Sequence, residues 1–554
     1  MDIEIRKALP ADAPEVADVF IASQADALPF LGPLHTPDET RTFIATEVFA
    51  NCEVWLAAEQ RRIVGMLALA GTHLDHLYLL PTEYRRGIGT LLLDKAKQLS
   101  PAKLTLYAFQ VNARARAFYE RHGFIATEFG DGSGNEAGEP DVLYEWRPPT
   151  VDILRIGHRG DGETADGLYV PFTVPGDKVT IETNGDRARV VAILDPGPTR
   201  AAPACKHFGV CGGCALQHVE AAAYREWKRE QVVQALAQRG IVGVDVAPVV
   251  AIASATRRSA VLAARLTRSG VVLGFQERFR HFIVDVEECP VLHPRLAALL
   301  PKLRAGLEGE LSTRGQAEIG LTLTDTGVDT VLGLPNIDLD QKRRTQLASL
   351  AAVLALTRLT VNGELLAQAH TPTLRWGDVA VALPPGAFVQ AVAEAERAMQ
   401  TLVVEILQGA KRIADLFSGC GAFTFPLARH AAVAAFDSDA DAIAALAAAA
   451  QRAQGLKPVT AERRDLFRRP LLAAELDKFD AVVIDPPRAG AKAQTEQLAA
   501  SKVRTIAVVS CNPATFARDA RALIEGGYAL KRVTPIDQFL WSPHVELVAH
   551  FARE

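Results

Sequence analysis

Arg412-Ile413-Ala414-Asp415-Leu416-Phe417-Ser418-Gly419-Cys420-Gly421-Ala422-Phe423 is an apolar strand, a glycine turn and the start of a helix. That order is the first strand–turn–helix step of a nucleotide-binding α/β sheet, in which the turn backbone approaches a ligand. Asp437 ends the next strand-like run 22 residues after Asp415, the position from which a carboxylate reaches a ribose hydroxyl. The turn is Gly-x-Gly without a third glycine, which suits S-adenosylmethionine better than a dinucleotide. Residues 410–553 continue as alternating strand and helix patterns, predicting a parallel sheet with covering helices.

Ligands of such sheets lie at the carboxyl ends of the strands, so the residues after each strand are the informative ones. Asp465-Leu466 is placed to meet the adenine. Ala481–Ile484 runs into Asp485-Pro486-Pro487-Arg488-Ala489-Gly490. Neither an aromatic for stacking on an exocyclic amine nor a cysteine for cytosine chemistry follows those prolines. Thr505–Val509 runs into Ser510-Cys511-Asn512-Pro513-Ala514-Thr515-Phe516-Ala517-Arg518-Asp519. Carbon 5 of uracil is too weak a nucleophile to take a methyl group unaided. A thiolate adding at carbon 6 makes it an enolate, which gives Cys511 a chemical role. His544-Val545-Glu546 precedes the last strand, Leu547–Phe551, and Glu546 is a candidate base for the carbon 5 proton.

Upstream, Cys205-x5-Cys211-x2-Cys214 and the distant Cys289 can complete an all-sulfur site for zinc or an iron–sulfur cluster. Gly209, Gly212 and Gly213 let that loop turn tightly. Residues 151–196 lack helical periodicity, contain VPFTVPGDKVTI and predict a small β-barrel. Residues 1–148 alternate strand and helix, with strands at 54–58, 63–70 and 76–80. There Arg85-Arg86-Gly87-Ile88-Gly89-Thr90 follows a strand and opens a helix, whose free N–H groups favour a pyrophosphate. A second helix, Asn112 to Gly123, carries Tyr119.

The N-terminal unit resembles the GNAT superfamily of acetyltransferases on these two motifs. The resemblance implies acetyl-CoA held by Arg86, Gly87, Gly89, Thr90 and Asn112, with Tyr119 as the acid that protonates the leaving thiolate. Tyr84 stands where the family prefers Gln or Arg. Asp75 and His76 are candidates for the base.

Residues 151–554 resemble the bacterial uridine-5 RNA methyltransferases, most closely the rRNA branch that carries a [4Fe-4S] cluster. The matching pieces are the barrel segment VPFTVPG, the four cysteines, Phe388-Val389-Gln390, DLFSGCGAFTF, DPPRAG, SCNPATFARD and the terminal HVE. The resemblance implies Cys511 as nucleophile and Glu546 as base. It places Gln390, Phe417, Ala422, Asp437, Asp465 and Asp485 around cofactor and target, and Cys205, Cys211, Cys214 and Cys289 on the cluster. Ala422 replaces an expected Asn, Asp437 a Glu, and Val392 an Asn.

The expected architecture is multidomain α/β. A GNAT-like domain (1–148), a TRAM-like β-barrel for RNA (151–200) and a central cysteine-bearing α+β domain (201–385) lead to a Rossmann-like methyltransferase domain (386–554). The expected partner is RNA, with 23S rRNA the favoured substrate and an unassigned acetyl acceptor. Competing readings are methylation of tRNA, methylation of another base, and an acetyltransferase that the C-terminal part merely recruits to RNA.

Bulk properties agree with an ordinary globular chain: 554 residues, 49% hydrophobic, 23% charged, formal net charge −5. The mixed-charge N-terminus has no signal-peptide core, and no apolar run reaches membrane-spanning length. Seven cysteines, an odd number, argue against a disulfide framework. A cytoplasmic monomer follows as the expectation. Arg257, Arg258, Arg265, Arg268, Arg278 and Arg280 form a local basic cluster, either a solvated face or a nucleic-acid contact.

Overall fold

The computed structural model describes residues 3–29, 31, 34–60, 62–278, 280, 282–311, 315–335 and 337–553. The chain divides into two compact units, Met1–Gly157 with Asp161–Pro198, and His158–Gly160 with Thr199–Glu554. Among the described residues no helix is long and apolar enough to cross a membrane.

The first unit holds two sheets. Its larger sheet has seven strands in the order Ile3–Lys7, Glu53–Glu59, Arg62–Ala70, His73–Leu79, Leu104–Phe109, Asp141–Trp146, Ile125–Phe129. His73–Leu79 and Leu104–Phe109 run parallel but pair only at His73↔Thr105, so the strands splay beyond that point. The second sheet has six short strands between Thr150 and Asp195, with no helix among them. It packs on helix Ile88–Leu99. Val191 joins the core of the larger sheet, and the buried Lys97 ammonium pairs with Glu182 and donates to the His122 carbonyl. Arg189 bridges Asp94 at 2.9 Å.

The second unit contains a seven-stranded sheet between Ser259 and Gln368, a hairpin Thr373–Trp376/Val379–Ala382, and the catalytic sheet. The catalytic order is Val459–Arg463, Ala432–Asp437, Arg412–Leu416, Ala481–Ile484, Thr505–Ser510, Glu546–Ala552, Ala529–Ile536. Six strands run in one direction, and Glu546–Ala552 inserts antiparallel between Thr505–Ser510 and Ala529–Ile536. From Arg412–Leu416 the chain moves outward on one side and returns on the other at Ala481–Ile484, which makes the switch point where ligands of such sheets bind.

Alternation along the strands fills both faces of this sheet. Leu416, Ile484, Val508 and Leu547 face Phe516 and Leu523 of helix Pro513–Glu525. Ile413, Val483, Val509 and Val548 face Met399 and Val403 of helix Ala393–Ile406. The expected central domain is not separate at its start. Helix Ala221–Ala237 sends Val232 and Leu236 into the catalytic core, and the chain then adds parallel bridges Val246↔Val533 and Val250↔Ile536. The basic cluster also divides: Arg265, Arg268 and Arg280 are exposed, while Arg258 is buried.

Candidate active sites

Cys511 follows strand Thr505–Ser510, and Glu546 begins strand Glu546–Ala552. Their last registered pair is Ser510↔Leu547, so Cys511 and Glu546 stand next across the antiparallel ladder. Asn512 caps helix Pro513–Glu525 by accepting the Ala514 N–H, and its own amide donates to the Arg488 carbonyl at 3.2 Å. Thr515 donates to the same carbonyl at 3.3 Å. The Ser-Cys-Asn-Pro and Asp-Pro-Pro-Arg turns are thus tied together at the sheet's carboxyl edge.

The half-buried Cys511 thiol is pushed up to about 11 by burial and by the charges of Glu546 and Asp485, with Arg488 opposing. Glu546, 2% exposed, has its carboxyl raised well above the usual range by burial and by Asp485. Both shifts favour neutral groups, so a proton can pass in either direction when a substrate alters the charge balance. Arg488 donates to His544 at 2.9 Å, and burial with the Arg488 charge lowers the imidazole to about 4.

The glycine turn carries its own constraint. Phe417 sits at φ +63, a left-handed conformation that a bulky side chain rarely adopts. Its ring meets Phe467 at 5.4 Å between centroids. Asp437 accepts the Gly419 N–H at 2.9 Å, so it shapes the turn directly. Asp465 accepts the Phe467 and Arg468 N–H groups. Asp415 is fully buried, accepts the Thr424 hydroxyl at 2.5 Å and is raised to about 7 by desolvation. Ala422, where the family has Asn, offers only its carbonyl, which Gln400 engages at 2.8 Å.

Gln390 links Asp485 to the base through Gln538. Its amide nitrogen donates to Asp485 at 3.3 Å, while its oxygen accepts from Gln538 at 2.8 Å. Gln538 also donates to Glu546 at 3.2 Å. Buried Arg258 donates to the Gln390 carbonyl at 3.0 Å and pairs with Glu396, which also accepts from Trp376. On the other side, the fully buried Lys228 ammonium pairs with Asp537 and donates to the Phe539 carbonyl at 3.0 Å. The Tyr224 hydroxyl joins Asp537 at 2.8 Å.

None of Gln538, Arg258, Lys228 and Gln400 was singled out in the sequence as a site residue. One signal was available. Tyr224, Lys228, Val232 and Leu236 lie at four-residue spacing on a buried stripe, and a lysine inside such a stripe needs a buried carboxylate.

Cys205, Cys211, Cys214 and Cys289 lie close enough that each of the last three thiols is raised partly by the charge of others in the set. Burial is the larger cause and pushes Cys214 up to about 12. The Gly213 N–H points at the Cys211 sulfur at 3.5 Å, and the Val291 and Leu292 backbone bonds to Cys289. Such donors suit thiolates. Among the described residues no three donors converge as tightly as a single ion requires. Four thiolates are a donor set that zinc or an iron–sulfur cluster takes.

In the first unit a cavity of about 1450 Å³ lies between the splayed strands. Arg85, Gly87, Gly89, Thr90, Asn112, Asp75 and Tyr119 line it. Arg86 does not: it pairs with Glu59 and Glu83, and Arg85, at φ +63, takes the cavity position. Asn112 caps helix Ala113–Arg121, and Thr90 bonds His122 at 3.1 Å. His76 instead packs against Phe20, Phe43 and Tyr78.

An α/β domain with a glycine turn at its switch point and a cysteine–glutamate pair at the adjoining strand ends is a methyltransferase-type site, and the other unit carries an acyltransferase-type cavity. The family model described as tRNA (Uracil-5-)-methyltransferase matches residues 378–553, and that of the acetyltransferase (GNAT) domain matches 50–126. A Caulobacter vibrioides protein described as an uncharacterized RNA methyltransferase is 50% identical over 413 residues, 73% of this chain and 99% of that one. The 23S rRNA (uracil(1939)-C(5))-methyltransferase RlmD of Chromohalobacter salexigens is 33% identical over 73% of this chain and 89% of that one. The solved tRNA (uracil-54, C5)-methyltransferase of Pyrococcus abyssi, in complex with S-adenosyl-L-homocysteine, is 25% identical. It matches with a TM-score of 0.58 over 73% of this chain and 100% of that chain. The chain belongs to the RNA uracil-5-methyltransferase family and carries a GNAT acetyltransferase domain at its N-terminus.

Proposed function

We propose that the protein methylates carbon 5 of a uridine in 23S rRNA, using S-adenosylmethionine and a covalent Cys511 adduct. The observation that carries this reading is the placement of Cys511 and Glu546 as ladder neighbours at the carboxyl edge of the catalytic sheet. The named 23S rRNA and tRNA relatives support RNA as substrate, and the RlmD relative favours rRNA. When bound, S-adenosylmethionine supplies an electrophilic methyl group. Phe417, Ala422, Asp437 and Asp465 would hold it, with Asp485 and Gln390 facing the target base.

The Cys511 thiolate adds to carbon 6 of uracil and the electron pair moves to oxygen 4. Carbon 5 takes the methyl group, leaving S-adenosylhomocysteine. Glu546 removes the carbon 5 proton, the carbon–sulfur bond breaks and the thiolate returns. Cys205, Cys211, Cys214 and Cys289 would hold a [4Fe-4S] cluster beside this site. The six-stranded sheet at 150–195 would serve as the TRAM-like RNA-binding element. In the N-terminal cavity, Arg85, Gly87, Gly89 and Thr90 would bind acetyl-CoA and Tyr119 would protonate the leaving thiolate.

Mass-spectrometric mapping of 5-methyluridine in 23S rRNA from a strain lacking the gene tests the main reading. Loss of one site, restored by the wild-type chain and not by Cys511→Ala, supports it. An unchanged rRNA map with a lost tRNA site would move the substrate to tRNA.

A further inference from the structure

The acetyltransferase cavity segregates its charge. Arg85 and Arg121 line it from the side of the glycine turn and helix Ala113–Arg121, and neither has an acidic partner among the described residues. Glu128 lines it from the end of strand Ile125–Phe129, Asp131 from the connection after it, Asp141 from the start of strand Asp141–Trp146, and Asp75 from strand His73–Leu79. That connecting stretch, residues 128–141, holds five acids and no Lys or Arg.

Elsewhere this domain pairs several of its acids: Asp12 with Arg6, Asp26 with Arg114, Glu59 with Arg86, Glu145 with Lys103. Among the described residues no Lys or Arg lies within ion-pair distance of Asp75, Glu128, Asp131 or Asp141. His73 approaches Asp75 at 3.6 Å, and the Cys52 thiol donates to it at 3.4 Å. Asp131 accepts the Ser133 N–H and Asp141 accepts from Asn135, contacts that leave their charges uncompensated. The Tyr107 and Phe109 rings line the same wall, and aromatic faces attract cations.

A second observation marks the cavity as a ligand site. Tyr119 lines it with its ring buried, and among the described residues no protein group is recorded within hydrogen-bond distance of its hydroxyl. A hydroxyl that opens into a cavity without a protein partner is free to meet a ligand.

Resting on the acetyl-CoA reading of this cavity, we propose that the acetyl acceptor is a small aliphatic polyamine. Its reacting nitrogen sits beside Asp75 and its remaining ammonium groups lie against Glu128, Asp131 and Asp141. The neutral nitrogen adds to the thioester carbonyl and the carbon–sulfur bond breaks. The nitrogen's proton passes to Asp75, and Tyr119 protonates the departing thiolate. The arginine end takes the anionic phosphates, so each end of the cavity meets its opposite charge.

The test measures thiol release from acetyl-CoA by the full chain with spermidine, putrescine, butylamine and a lysine-containing peptide. Spermidine should exceed butylamine in kcat/KM by about 100-fold, tenfold for each of two ionic contacts that the monoamine lacks. Glu128→Gln with Asp131→Asn should raise the KM for spermidine about tenfold or more while the KM for acetyl-CoA stays put. Equal turnover of butylamine, turnover of the peptide alone, or an unchanged spermidine KM in the double variant would overturn the polyamine assignment. Failure of acetyl-CoA itself to bind, read by calorimetry, would overturn the cofactor reading as well.

Discussion

Gln538 donates an amide N–H to Glu546 at 3.2 Å, and the same nitrogen reaches the Gln390 oxygen at 2.8 Å. The amide nitrogen is the choice that stabilises an ionised Glu546, which can only accept. That choice fixes the orientation of Gln390, whose own nitrogen is left to donate to Asp485. Gln538→Leu keeps the volume and removes the donor. Glu546, already raised by burial, then loses the hydrogen bond that opposes the shift. A buried hydrogen bond to a charged group contributes about 1.5–3 kcal/mol, so methylation should fall roughly 10- to 100-fold. The acidic limb of the pH–rate profile should move to higher pH. A rate loss with an unmoved profile would mean that Gln538 only packs.

The charges around Cys511 give a second expectation. Burial, then Glu546 and Asp485, hold the thiol at about 11. Thiolate is therefore scarce at neutral pH, and alkylation of Cys511 by iodoacetamide should accelerate about tenfold per pH unit from 7 to 9. Glu546→Gln removes one negative neighbour, which lowers the thiol pKa and speeds alkylation at pH 8. The same variant cannot take the carbon 5 proton, so RNA should accumulate as a covalent protein adduct visible on a denaturing gel. Slower alkylation in that variant would contradict the proposed electrostatics.

Asp415 sets a pH dependence of stability. Its folded-state pKa is raised from 3.8 to about 7 by desolvation. Between those values the folded state binds the proton that the unfolded state has released. Stability therefore falls as pH rises from about 4 towards 7 and stays lowered above. Asp415→Asn keeps the shape without the charge and should abolish that term, stabilising the chain at pH 8 by at most on the order of 4 kcal/mol. Urea denaturation of both forms at pH 5 and pH 8 checks this. An equal effect at both pH values would mean that the Thr424 contact, not the charge, decides.

What the sequence made legible is local. Strand-then-turn patterns located Asp415, Asp485, Cys511 and Glu546, because a sheet edge is announced by the residues that end its strands. The partners that orient those groups are remote. Lys228 reaches Asp537 across 309 residues and Arg258 reaches Gln390 across 132, and no periodicity joins such positions. Arg86 shows the limit at short range. It sits in the right motif, but Glu59, supplied by a neighbouring strand, turns it away and leaves Arg85 in the cavity. The cysteine loop was legible as a donor set, while its link to the base loop was not.

That link supports a further expectation. The Ala215 and Leu216 N–H groups, directly after Cys214, both donate to the Trp541 carbonyl, at 2.8 and 3.1 Å. Trp541 lies at φ +56 in the loop leading to Glu546, and its N–H donates to Tyr224. Cys214→Ser should lose iron and loosen this anchor together. Methylation should drop at least tenfold while S-adenosylmethionine affinity stays within twofold, since the glycine turn lies on other strands. Full activity in an iron-free Cys214→Ser protein would separate the cysteine site from the catalytic loop.

Truncation distinguishes the two boundaries near the end of the first unit. Cutting after residue 148 leaves the six-stranded sheet but removes helix Ile88–Leu99, on which it packs. Val191 would be exposed, and Glu182 and Arg189 would lose Lys97 and Asp94. The sheet's own core is small, built on Ile153, Val170, Val179, Ile181 and Ala188, and so few apolar residues stabilise a separate domain poorly. Cutting after residue 198 instead removes the whole compact unit. The 199–554 fragment should melt cooperatively and bind S-adenosylmethionine. The 149–554 fragment should show rapid proteolysis confined to residues 149–198. Comparing methylation by the two fragments then isolates the RNA contribution of the six-stranded sheet. If 149–554 resists protease throughout, that sheet folds without the acetyltransferase domain and the contacts at Lys97 and Val191 are dispensable.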